Sequence, residues 1–324
     1  MRYLITGITG FAGPHLANLL HAEGHEVSGL VRCSNGREND IRDIVADKVY
    51  GDINFVYSDL RNHRLLDKIF KENQYDGVFH LAAQSHPPTS FIDPIGTISD
   101  NVLGSANLIQ TITDNQPDCK LMFCSTSEVY GNVGMDGRKI EISDTILPAN
   151  PYGASKAATD LYMQERIINH KLKGFITRAF SHTGPRRGKN FSISSDAFQI
   201  ARMMKNMQDK TLLIGNLDSI RVVVDVRDTV NAYYLAMINN NSSMVYNVCG
   251  DMPRKMQYFT DKLIEISGLD DVRQEIHAPF YRPIDIHYQH GSSTELVKDT
   301  KWVPTIDIEQ TLSDLLKYWF DKIN

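Results

Sequence analysis

TGITGFAG, residues Thr6 to Gly13, decides how this chain is to be read. It follows the apolar run RYLIT and precedes a helix-like segment at 14–23, so Gly7, Gly10 and Gly13 fall in a strand-to-helix turn. Glycine in such a turn allows a sharp bend, lets backbone come close to a pyrophosphate and lets helix and strand pack tightly. The helix N-terminus then offers unpaired N–H groups to an anion. Pro14 suits the opening helical turn, where its missing N–H costs nothing, and Gly24 suits the C-cap. Strand, glycine turn and helix in this order predict a dinucleotide site formed by Gly7, Thr9, Gly10, Phe11, Ala12 and Gly13.

Outward from that turn, strand-like runs RYLIT, EVSGLV, INFVYSD, GVFHLAA, KLMFCS and GFITRAF alternate with helix-like segments at 14–23, 61–73, 93–115 and 151–171. The alternation predicts an α/β fold, a Rossmann-type doubly wound parallel sheet covered on both faces. After Arg178 it weakens. Segment 181–218 is rich in Gly, Arg and Ser around SSDAFQIARMMKNM, MVYNVCG reads as a return to the main sheet, and the tail closes on the amphipathic IEQTLSDLLKYWFDKI. The expected organisation is a dinucleotide-binding domain, 1–178 plus about 219–249, and a smaller α/β substrate-binding lobe from 179–218 and 250–324.

The strand ends select the cofactor. NAD enzymes usually close the second strand with Asp or Glu for the ribose 2′-OH, whereas here it ends in Arg32, followed by Ser34 and Asn35. These three suit a 2′-phosphate, so NADP is expected, with NAD as the alternative. Asp59 and Leu60 end the third strand and border the adenine. Leu81, Ala82 and Ala83 keep the fourth strand's end narrow beside the cofactor, with Ser85 just beyond.

Composition narrows the function. The 324 residues are 42% hydrophobic and 23% charged, ordinary for a globular protein, and the net charge of -5 argues against nucleic-acid binding. MRYLITG enters a strand without a signal-peptide core, and no run reaches the ~18 apolar residues of a membrane helix. Cys33, Cys119, Cys124 and Cys249 form no CxxC pair, there is no HExxH, and the histidines make no ligand-spaced cluster. The expectation is a cytoplasmic protein without a bound metal.

A reactive centre is expected at CSTSEVYG, Cys124 to Gly131, where an apolar strand ends on three hydroxyls and a carboxylate. The stretch ANPYGASKAA then supplies Tyr152 and Lys156, spaced to share one face of a helix. A tyrosine near its usual ~10 is a poor base at neutral pH, and a neighbouring ammonium lowers that value.

With these features in place the chain resembles the extended short-chain dehydrogenase/reductase family over nearly its whole length. The carriers are TGxxGxxG, HLAAQSH at 80–86, Asn101, the Ser/Thr strand end and YxxxK. Within it, Ser-Thr-Ser-Glu at 125–128, LAAQSH, NPYG at 150–153 and PRRG at 185–188 look most like the GDP-mannose 4,6-dehydratases. That resemblance implies a redox-neutral cycle giving a 4-keto-6-deoxy sugar: Thr126 bonds the sugar 4-hydroxyl, Tyr152 with Lys156 removes its proton, and Glu128 abstracts the proton from C5 before water leaves C6. Ser85 and Ser127 are implied substrate contacts.

A sugar-nucleotide diphosphate needs cations, and arginine's planar fork suits phosphate oxygens. Candidates are Arg186 and Arg187, Arg221, and Arg282 with Asp285; the resemblance sends Arg221 and Arg282 to the diphosphate and Asp285 to a ribose hydroxyl. The sequence departs from the dehydratases at Phe180-Ser181-His182-Thr183-Gly184, where they have Phe-Asn-His-Glu-Ser. HTGP, VDVRDTV and the tail look instead like GDP-4-keto-6-deoxymannose reductases. The expected substrate is therefore a GDP-sugar (GDP-mannose, GDP-N-acetylglucosamine or a GDP-heptose) for surface glycan synthesis, selected around Ser181. The alternatives are a 4-keto reductase or C4 dehydrogenase/epimerase and, in another class, a non-catalytic NAD(P)-sensing module. Helices 93–115 and 151–171 imply a homodimer, or a tetramer, through a four-helix bundle.

Overall fold

The structure is a computed structural model that describes residues 1–32, 37–239, 242–280 and 285–323. The first half runs β1 (Arg2–Thr6), α1 (Ala12–Ala22), β2 (Glu26–Val31), α2 (Asp47–Asp52), β3 (Asn54–Tyr57), α3 (His63–Glu72) and β4 (Gly77–His80). It continues through α4 (Pro87–Ile92), α5 (Pro94–Ile98), α6 (Gly104–Asn115), β5 (Lys120–Thr126), α7 (Pro151–His170) and β6 (Gly174–Ala179). Then come β7 (His182–Thr183), α8 (Ser192–Met204), β8 (Thr211–Ile214), β9 (Ile220–Val222), β10 (Val224–Asp225), α9 (Val226–Ile238) and β11 (Val245–Val248). The chain closes with β12 (Pro253–Lys255), α10 (Met256–Ser267), β13 (Arg273–Ile276), β14 (Tyr288–Gln289), α11 (Thr294–Thr300) and α12 (Ile308–Lys322).

Among the described residues seven strands form one sheet in the order β11-β6-β5-β4-β1-β2-β3. Every neighbouring pair is parallel, with Thr6 beside both Leu30 and His80 and Thr126 beside Ala179. Parallel strands covered on both faces read as continuous apolar runs, and β4 is buried throughout. One face packs Leu16 and Leu20 of α1 and Val230 and Tyr233 of α9. The other packs Leu66 and Phe70 of α3, Leu108 and Ile112 of α6, and Met163 of α7. Each such side chain contributes about 1.5–3 kcal/mol on burial. Chain order reverses between β1 and β4, and a crevice opens at the strands' C-terminal ends beside such a switch point.

The segment expected as one helix at 93–115 is interrupted by a π-turn at Ser99–Leu103. Asn101 lies in it; its amide exchanges bonds with the Gln84 backbone (2.8 and 3.0 Å) and donates to Ser155 Oγ at 2.9 Å. The bulge thus joins the loop after β4 to α7.

The second lobe packs α8, α10 and α12 around Ile200, Leu212, Phe259, Leu263 and Leu315. The domain boundaries differ from expectation in two places. Residues 220–225 do not return to the main sheet: β9 pairs with β12 and β14, and β10 with β7, so the return starts at α9. The tail at 294–302, expected in the second lobe, belongs to the first, because α11 packs on α9 and β11 and Trp302 is buried in that lobe's core. Indole Nε1 donates to Asp228 O at 2.9 Å. Among the described residues no helix is long and apolar enough to cross a membrane.

Candidate active site

A cleft of about 890 Å³ runs from the glycine turn past the end of β5 into the second lobe. At its first end Gly10 N donates to Gly7 O at 2.9 Å, closing the turn. Gly7 has φ +73°, and a Cβ there would lie 2.8 Å from Ala82 N; one on Gly13 would lie 2.6 Å from Gly7 O. The turn is therefore seated where only glycine fits, at the N-terminus of α1, with Thr9, Phe11 and Ala12 lining the cleft. Backbone N–H groups and shape fit the pyrophosphate of a dinucleotide. Leu60, Leu81, Ala82, Ala83 and Ser85 line the same cleft.

Arg32 lines it too, with Nη1 at 3.2 Å from Asp100. Asp59 is bound by Arg61 at 2.7 Å, which holds its carboxyl below the usual range, and Arg61 also reaches Asp100 at 3.3 Å. Ser34 and Asn35 lie outside the described residues.

At the reactive end consecutive residues of β5 diverge. Ser125 Oγ donates to buried Asp160 at 2.7 Å, and the same carboxylate takes Arg178 Nε at 2.9 Å. Thr126 instead hydrogen-bonds Tyr152 and caps the following 3-10 turn by accepting from Glu128 N at 3.3 Å. Helix α7 starts against that turn: a Cβ on Gly153 would sit 2.7 Å from Glu128 O. Asn150 caps α7, Oδ1 accepting from Gly153 N at 2.7 Å, while Nδ2 donates to Glu128 Oε2 at 2.7 Å. Thr126, Glu128, Tyr152 and Lys156 thus share one cleft wall.

The electrostatics differ from expectation. Burial raises the Tyr152 hydroxyl well above its ordinary value, the Cys124 thiol and Glu128 add to this, and the Thr126 bond and Arg187 oppose it. Lys156 is not among the largest influences on Tyr152, and its Nζ lies over the Phe123 ring at 4.2 Å. Burial brings the Lys156 ammonium down to about 8, against opposing effects of Cys124 and Asp160. The expected lysine-driven lowering of Tyr152 is thus outweighed by desolvation.

Arg186, expected on the substrate, is turned the other way. Its Nε donates to Gly10 O at 2.9 Å and Nη2 to Thr9 O at 3.2 Å, while Nη1 pairs with Asp43. Arg187 lies in the cleft over the rings of Phe11 (4.8 Å) and Phe191 (3.5 Å), brought down to about 10 by burial. A φ of +74° at Arg186 sends the two neighbours to opposite sides. His182, which the sequence reading did not single out for a role, stacks on Phe11 at 5.8 Å and lines the cleft; burial brings its imidazole down to about 4.

Farther along, Ser181, Arg221 and Asp285 line the cleft, Arg221 Nη2 at 3.6 Å from Asp285 and Asn216 Nδ2 at 2.7 Å from the same carboxylate. Ser127 exchanges 3.2 Å hydrogen bonds with Gln289. Arg282 lies outside the described residues. Among those described, no group of three His, Cys, Asp or Glu could hold a metal.

A glycine turn on a doubly wound sheet, opening into a cleft that holds Thr, Tyr and Lys, defines an extended short-chain dehydrogenase/reductase. Residues 4–315 match the model of one branch, and the chain belongs to the GDP-mannose 4,6 dehydratase family. It is 29% identical to the GDP-6-deoxy-D-mannose reductase of Pseudomonas aeruginosa, covering 99% of this chain and 98% of that one. It is 26% identical to human GDP-mannose 4,6 dehydratase, covering 97% and 90%. Among solved structures, RMD from Pseudomonas aeruginosa complexed with NADPH matches with a TM-score of 0.85 at 28% identity, covering 99% of both chains. Thermus thermophilus UDP-glucose 4-epimerase complexed with NAD matches at 0.84 and 27%, covering 100% of both.

Proposed function

We propose that the protein is an NADP-dependent 4,6-dehydratase of a GDP-linked sugar: GDP-mannose, GDP-N-acetylglucosamine or a GDP-heptose. The observation that carries this reading is the Glu128 carboxylate, anchored by Asn150 in the cleft wall that holds Thr126 and Tyr152. A base aimed at a carbon acid has no task in simple alcohol oxidation. When bound, a nicotinamide held by the glycine turn would supply the hydride acceptor at C4 and the hydride donor at C6, so the cycle would have no net redox change.

The remaining work falls to side chains. Thr126 orients the 4-hydroxyl and Tyr152 takes its proton, the buried Lys156 supplying positive charge at neutral pH. Once C4 is a ketone, the C5 proton is acidic. Glu128 removes it, and the C6 oxygen departs as water. Arg221 and Arg282 bind the diphosphate and Asp285 a ribose hydroxyl, with Arg187 as the further cleft cation. Arg32 favours NADP over NAD, and the NADPH named for the Pseudomonas structure supports that choice. Exposed Ile92, Ile95, Ile98, Leu103, Leu161 and Ile168, on and between α4 and α7, support a dimer with a second copy covering them.

The second reading, a GDP-4-keto-6-deoxy-sugar reductase, is favoured by the similarity to the Pseudomonas reductase. One assay separates the two. Purified protein is incubated with GDP-, UDP- and dTDP-sugars without added reductant, and product mass is followed. Loss of one water from a GDP-sugar supports the dehydratase; turnover only with NADPH and a 4-keto substrate makes it the reductase.

A further inference from the structure

In the second lobe the cleft is lined by Ile193, Asp196, Ser219, Met256 and Phe280 among others. Asp196 is the anomaly. It lies on α8 between Ile193 and Ile200, positions that pack the lobe's apolar core, and it is only 4% exposed. Its Oδ2 accepts from Thr260 Oγ1 at 2.7 Å. Oδ1 has no hydrogen-bond partner, and neither oxygen has a cation partner, among the described residues. A carboxylate so placed is costly unless something else completes it. Burial pushes its pKa up to about 7, the mark of a desolvated acid short of donors.

We propose that Asp196 reads the nucleotide base of the substrate, its carboxylate accepting the N1–H and the 2-amino N–H of guanine. This rests on the reading of the substrate as GDP-linked and says which residue enforces it. Guanine presents two adjacent donors on one edge, and an ionised carboxylate is purely an acceptor. Uracil and thymine flank their single N–H with carbonyl oxygens, and adenine sets a bare ring nitrogen beside its amino group. Each leaves a lone pair facing the carboxylate. The apolar Ile193, Met256 and Phe280 keep the surroundings of low polarity, where such differences are large. A bidentate base contact discriminates by about tenfold or more. Two donors also favour the ionised acid, so guanine binding near neutral pH expels the proton that Asp196 holds in part.

The test is calorimetric binding of GDP, IDP (no 2-amino group), XDP (a 2-oxo group) and UDP to the full chain. The wild type is expected to bind GDP about tenfold more tightly than IDP or XDP. It should also release a proton on binding GDP, seen as heat that varies with the buffer. Asp196→Asn should lose the proton release and the preference for GDP over XDP, because an asparagine amide can donate to the 2-oxo group. Thr260→Val keeps the carboxylate but frees its anchor, and should narrow the GDP/IDP ratio. If the wild type prefers UDP to GDP, the guanine-nucleotide reading falls and the assignment with it. If the wild type prefers GDP but Asp196→Asn keeps the GDP/XDP ratio, the assignment alone is overturned. Should that variant fail to fold, equal wild-type affinities for GDP and XDP overturn it as well.

Discussion

Asn150 Nδ2 donates to Glu128 Oε2 at 2.7 Å while Asn150 Oδ1 caps the helix bearing Tyr152 and Lys156. One amide therefore fixes both the Glu128 carboxylate and the start of the helix that carries Tyr152 and Lys156. Glu128 and Tyr152 are thus positioned by the same residue.

Asn150→Ala should cost about 1 kcal/mol of stability through the lost cap. It should slow water loss more than C4 oxidation, since Glu128 loses the hydrogen bond from Asn150. Asn150→Asp keeps the cap acceptor but brings a second carboxylate to Glu128. The two carboxylates repel, so this variant too should slow water loss more than C4 oxidation; an unchanged ratio of the two rates means that Asn150 does not position Glu128.

Glu128→Gln removes the base but keeps the hydrogen bond from Asn150. Removal of a general base typically lowers a rate about 10²–10⁴-fold. Water loss, followed by product mass, should fall by that order, while substrate still reduces bound nicotinamide, followed by absorbance. Equal loss of both partial reactions counts against the role.

Arg186→Gln should weaken dinucleotide binding rather than sugar-nucleotide binding, because the guanidinium holds the carbonyls of Thr9 and Gly10. Hydrogen bonds to charged groups contribute about 1.5–3 kcal/mol, so a roughly tenfold rise in Kd for NADPH is expected. GDP affinity should stay within about twofold. Fluorescence titration measures both, and the reverse pattern returns Arg186 to the substrate.

Asp196 should also leave a trace in stability. Its folded-state pKa is about 7 and its unfolded value near ~3.9, so between them the folded state binds more protons than the unfolded one. Stability then falls as pH rises through that window and levels off above it. Asp196→Asn removes the dependence. The Tm advantage of the variant should widen from about pH 5 to about pH 7.5 and then stay constant; scanning calorimetry at several pH values reads it. A constant difference across the window disproves the raised value.

The legible features were those written locally. Alternating runs and the glycine turn predicted the parallel sheet, because strand, turn and first helix need only neighbours to form. The spacing of Tyr152 and Lys156 likewise put both on one helix. What Lys156 faces was not legible, since the Phe123 ring arrives from another element. PRRG reads as a pair of equivalent cations; only the positive φ at Arg186 separates their tasks, and an arginine codon carries no sign of that. Asp196 stands in a polar-looking stretch and is buried by α10, whose Thr260 lies 64 residues later. The pairing of residues 220–225 was not legible for the same reason. Short strands β9 and β10 carry the pattern of a main-sheet strand, and their partners decide otherwise.

The crossing of the tail bears on how the molecule is made. Trp302 fills the first lobe's core and is tied to Asp228 O, while α11 lies against α9 and β11. Domains usually complete themselves in order as the chain leaves the ribosome. Here the nucleotide-binding half has a vacancy until Trp302 emerges, long after its first six strands have been synthesised. A stalled chain or one released early leaves that cavity open and the lobe poorly closed. The half of the protein that begins first is finished near the end.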